Sequence, residues 1–108
     1  MTFVLSLDDR GLEVFESDSA AIAACEGIDV EDGNFLFWDS AGQPLAAEFI
    51  RPNTRGSFTV GSSQYRLVPT AEAPVLLDCL DQAAYFEGGL GLSSLQDVEH
   101  YLRNQVPQ

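Results

Sequence analysis

Apolar and polar positions are most clearly ordered between Asn34 and Pro52, where the chain reads NFLFWDSAGQPLAAEFIRP. Phe35 to Trp38 is unbroken apolar, so a strand there carries Phe35 and Phe37 on one face and Leu36 and Trp38 on the other. A strand loaded on both faces belongs inside a sheet, not at a solvated edge. Asp39-Ser40-Ala41-Gly42 has the chemistry of a type I turn, with Asp opening it and Gly free to take a positive φ at its end. Leu45 to Ile50 then alternates, Leu45, Ala47 and Phe49 against Ala46, Glu48 and Ile50. Pro44 and Pro52 sit at its ends, where a missing amide is tolerated. The pattern predicts a β-hairpin.

Two further hairpins follow from the same reasoning. Thr2–Leu7 alternates, Asp8-Asp9-Arg10-Gly11 repeats the Asp-x-x-Gly formula, and Leu12–Glu16 is the return strand. Ser57–Val60 and Ser63–Val68 flank Gly61-Ser62, a two-residue turn with Gly first. That register places Phe58, Val60, Tyr65 and Leu67 on one face and Thr59, Gln64 and Arg66 on the other, and Pro69 ends the strand.

Helical periods occupy the rest. Ser17-Asp18-Ser19 offers N-caps before Ala20–Cys25, with Ile22 and Cys25 inward and Gly27 just past the end. Pro74 opens a second helical pattern through Leu76, Cys79, Leu80, Ala83 and Phe86, and Glu87–Leu92 reads as a flexible link. Ser94 with Asp97 resembles a capping box ahead of a last helix, whose inner stripe is Leu95, Val98, Tyr101 and Leu102. The expected fold is therefore α+β. A single antiparallel sheet of about six strands is built from three hairpins, with one short helix after the first hairpin and two C-terminal helices, all on one face. Leu36 and Trp38 then need cover from the first helix, from sheet curvature or from a second copy of the chain, and the last of these makes a homodimer.

Length and charge narrow the function classes. The 108 residues, 45% of them apolar, predict one globular domain over residues 1–108. No apolar run reaches the ~20 residues of a membrane span, and the first residues lack a basic leader, so a cytoplasmic protein is expected. Seventeen acids oppose five bases, a net charge of −12, and every base is Arg. A Lys-free set of bases suits a GC-rich bacterial genome. Residues 1–34 alone hold nine acids and one Arg. Such a surface repels nucleic acid and anionic lipid, and draws in a basic protein.

The leading functional expectation is a non-enzymatic protein-binding module, in its concrete form an acidic inhibitor or immunity-type protein that binds a basic partner. Its acidic face comprises Glu13, Glu16, Asp18, Asp29, Glu31 and Asp32. The alternative is a small anionic-ligand-binding protein or enzyme using Arg51, Arg55 and Arg66, since guanidinium groups near turn amides hold carboxylates and phosphates. A structural homodimer subunit is the third reading. No cofactor or metal is expected. Asp29, Glu31 and Asp32 before Gly33 fail the EF-hand spacing, and Gly88-Gly89-Leu90-Gly91 lacks the lysine of a phosphate-binding loop. His100 is the only histidine, and Cys25 and Cys79 read as buried thiols.

Overall fold

The computed structural model describes residues 1–25, 30, 33–49 and 65–105. Its strands are β1 (Thr2–Ser6), β2 (Gly11–Phe15), β3 (Phe35–Trp38), β4 (Pro44–Phe49), β5 (Tyr65–Pro69) and β6 (Tyr85–Glu87). Its α-helices are α1 (Asp18–Ala24), α2 (Leu76–Cys79) and α3 (Leu95–Gln105), and a 3₁₀ turn at Leu80–Gln82 follows α2. Among the described residues the fold is α+β, with one six-stranded sheet in the order β5-β4-β3-β1-β2-β6. The sheet is mixed, because β6 runs parallel to β2 while every other pairing is antiparallel.

The first two hairpins form where the periodicity places them. β1 and β2 pair through Leu5↔Leu12, and β3 and β4 through Phe37↔Leu45. The two turns close differently despite their shared formula. In the second, the Asp39 carboxylate accepts from the Ala41 and Gln43 amides, and Gly42 takes φ 79. In the first, Asp9 accepts from the Gly11 amide, but the positive φ falls on Arg10 (61) and Gly11 begins a strand. The expected strand over 57–60 and its Gly61-Ser62 turn lie outside the described residues. β5 is found beside β4, with Glu48 opposite Arg66.

Two expectations need correction. The helices do not share one face. α1, capped by the Ser17 hydroxyl at the Ala20 amide, packs on the face of Val4, Phe37, Leu45 and Tyr65 through Ala21 and Cys25. The C-terminal helices cover the opposite face, burying Phe3, Leu5, Leu12 and Trp38 under Leu76, Cys79, Val98 and Leu102. Strand side chains alternate, so a central strand apolar at every position needs a layer on each side. Trp38 is 1% exposed and donates its indole N–H to the Pro74 carbonyl at 2.9 Å. The C-terminal helices thus cover Leu36 and Trp38, where the first helix, sheet curvature or a second copy of the chain was expected to do so.

The second correction concerns Leu76–Phe86, which is not one helix. α2 stops after one turn, the 3₁₀ turn carries the chain on, and Ala83 turns extended. The Ala84 amide then donates to the Arg10 carbonyl at 2.7 Å, and Tyr85-Phe86-Glu87 becomes β6. The spacing of Ala83 and Phe86 suits a helix, yet two consecutive aromatics favour a strand once a sheet edge is within reach. Phe86 packs on the core side while Tyr85 and Glu87 face solvent. The expected link closes in a tight turn. Gly89 and Leu92 exchange both backbone bonds around Leu90 and Gly91, whose φ values of 56 and 87 are those of a type I′ turn.

Candidate functional site

Pairing β6 with β2 assembles an acidic edge that is scattered in the sequence. Glu13 and Glu87 are direct partners in the parallel register and share a face. Asp9 lies in the turn before β2, where its carboxylate accepts a hydrogen bond from the Tyr85 hydroxyl at 2.6 Å. The tyrosine ring reaches that position by lying across Gly11. A Cβ there would sit 2.5 Å from the ring, so glycine is what permits the crossing.

The electrostatics follow from this crowding. Partial burial raises the Glu13 carboxyl above its ordinary 4.5, and the Glu87 and Asp9 charges raise it further. The bond to Asp9 pushes Tyr85 up to about 12 and holds Asp9 below its usual range. Asp9→Asn is expected to bring the Tyr85 hydroxyl back toward the ordinary tyrosine value of about 10. An NMR titration of the Tyr85 ring checks this, and an unmoved midpoint would mean the two groups do not meet in solution.

Glu13 also carries a pH signature. A carboxyl whose folded pKa is raised contributes stability that is complete below the unfolded value and is lost as pH rises through the folded one. Glu13→Gln, neutral throughout, is therefore expected to match the parent below 4.5 and exceed it at neutral pH. Urea midpoints at both ends of that window test it.

The other expected residues are dispersed. Glu16 is exposed after β2, and Asp18, in the first turn of α1, accepts the hydroxyl of buried Thr2. Asp29, Glu31 and Asp32 lie outside the described residues, as do Arg51 and Arg55. Arg66 is engaged by Glu48 across β4 and β5, in an ion pair exposed at both ends. Asp9, Tyr85 and Glu87 were not anticipated, and no sequence signal marked them, because they meet only through β6.

Cys25 is buried and its thiol is pushed up to about 11 by burial and by the Glu13 charge. Cys79 is buried on the opposite face of the sheet, so the two sulfurs are not partners. His100 is exposed on α3. Among the described residues no group of three or more metal-ligating side chains converges, and no helix is long and apolar enough to cross a membrane. No protein-family model, curated protein or solved structure matches the chain.

Proposed function

We propose that the protein is a non-enzymatic protein-binding module that engages a basic partner, in the manner of an inhibitor or immunity-type protein, through the acidic edge formed by Asp9, Glu13 and Glu87 beside Tyr85. The observation that carries this reading is the Glu13–Glu87 pairing. Two like charges held opposite each other in a register destabilise the fold, and a cationic partner relieves that repulsion. Tyr85, 41% exposed, adds an aromatic contact of the kind enriched at interfaces. Arg10, the nearest base along the chain, turns its guanidinium to the Gln82 carbonyl.

Capture from native extract on the immobilised protein tests the reading, with Glu13→Gln/Glu87→Gln and Asp78→Asn/Asp81→Asn run alongside. The expected result is a basic partner released by raised salt, lost with the first pair of substitutions and kept with the second. Exposed acids on α2 and its 3₁₀ turn serve as the control because they supply the same charge elsewhere. A partner that is acidic, indifferent to salt or equally weakened by both pairs overturns the reading.

A further inference from the structure

The sheet opens between β3 and β4. Their register holds only Phe37↔Leu45 and Trp38↔Pro44, although both strands run on, β3 back to Phe35 and β4 forward to Phe49. Hydrogen-bonding direction alternates along an antiparallel strand, so neighbouring bonds identify where the open groups point. Leu7 donates to the Asn34 carbonyl, which commits residues 34, 36 and 38 to β1 and aims Phe35 at β4. Thr70 donates to the Pro44 carbonyl, which commits residues 44, 46 and 48 to β5 and aims Ala47 at β3. Asp39 donates to the Gln43 carbonyl, so the bonded rungs are 39/43 and 37/45 and the next is 35/47. That rung is not made.

A cavity of about 400 Å³ occupies the gap. Val30, Phe35, Phe37, Leu45, Ala47 and Phe49 wall it on the α1 side. Leu36 and Ala46 line it from the other face, as they must if the sheet itself has parted. Its volume lies in the range of small-molecule sites, and an apolar wall with a few convergent polar groups is their usual make-up. The strands meet at Phe37↔Leu45, so the opening narrows to a closed end and admits the tip of a ligand, not a strand passing through.

We propose that this opening binds a small neutral molecule with a flat apolar body and a terminal carboxamide or equivalent amide edge. The amide would supply a donor and an acceptor to the facing main-chain groups of Phe35 and Ala47, and the ring would lie among the phenylalanines. Main-chain groups that face each other without closing the 35/47 rung favour a ligand that presents both a donor and an acceptor. Glu72 lines the same cavity, and its negative charge disfavours a carboxylate ligand.

An NMR titration of backbone amides with benzamide, benzoate and toluene separates these demands. Benzamide is expected to give saturable shifts at Phe35, Ala47 and Phe49, and to bind about tenfold more tightly than toluene, as two modest net hydrogen bonds imply. Benzoate is expected to give none there. Ala47→Leu, which fills the opening from the α1 side, should abolish the saturable shifts while leaving Val98 and Leu102 unperturbed. If that variant does not fold, Ala46→Leu fills it from the other face. Absence of saturable benzamide shifts at these amides, equal affinity for the three probes, or undiminished binding in the filled variant overturns the proposal. Because these probes carry no positive charge, the result is independent of the acidic edge on β2 and β6.

Discussion

Replacing Trp38 with alanine is expected to destabilise the protein by about 4 kcal/mol, in the range for deleting a large buried aromatic. Trp38 is 1% exposed and touches the layer formed by Phe3, Leu5, Leu12, Leu76, Val98 and Leu102. Its removal leaves a void bounded by both the sheet and the C-terminal helices, which cannot collapse without moving one layer toward the other. It also strands the Pro74 carbonyl, whose bond to the indole N–H is worth roughly 1 kcal/mol. A domain of this size has ~5–15 kcal/mol in all, so the variant sits near its unfolding threshold. Urea unfolding followed by circular dichroism should show a large fall in midpoint with an unchanged slope. Trp38→Phe keeps most of the buried ring and is expected to lose roughly 1–2 kcal/mol. A Trp38→Ala variant as stable as Trp38→Phe would mean the tryptophan is not the keystone of that layer.

Gly42→Ala is expected to be the second most damaging single change, at about 2–4 kcal/mol. Two separate penalties meet there. Gly42 has φ 79, a region L-residues enter at a cost of roughly 1–2 kcal/mol. Its added Cβ would also lie 2.9 Å from a methyl of Leu102, a side chain with no exposure and no room to retreat. Gly33 isolates the first penalty, with φ 81 and nothing within 4 Å of an added Cβ. Gly33→Ala should therefore cost only the backbone part, about 1–2 kcal/mol. The difference between the two variants measures how tightly α3 closes on the β3–β4 turn. Equal losses would show that Leu102 yields freely.

Local pattern reads well in some parts of this chain. Thr2–Leu7 and Leu12–Glu16 alternate and lie next to each other, so one turn decides their pairing. Ser17 caps α1 through a contact three residues away. Val98 and Leu102, one turn apart on α3, are both fully buried as the helical stripe requires. The inner positions of β4, Leu45, Ala47 and Phe49, fall on one core face as their alternation implies.

Tyr85-Phe86-Glu87 is the opposite case. Three residues are too few to display a period, and the preceding Leu76, Cys79, Leu80 and Ala83 extend a helical reading over them. Their partner, β2, lies near the other end of the chain. The acidic edge inherits the same problem. Glu13 is visible as one acid among many, but its neighbours Asp9 and Glu87 are set by where β6 docks. The opening between β3 and β4 is equally invisible, because β3 stays apolar and β4 keeps its alternation through the point where they part.

By itself, then, the amino-acid order determined the elements whose signal is carried by near neighbours: two hairpins, a capped short helix, the apolar stripe of the last helix, and a central strand needing cover on both sides. Tertiary structure alone decided which helix covers which face, that the aromatic pair after α2 joins the sheet as a parallel edge strand, and which acids stand together. The physical reason is range. Turn chemistry, capping and side-chain period act over a few residues, whereas strand partners and layer order are selected by the burial each arrangement achieves across the whole chain.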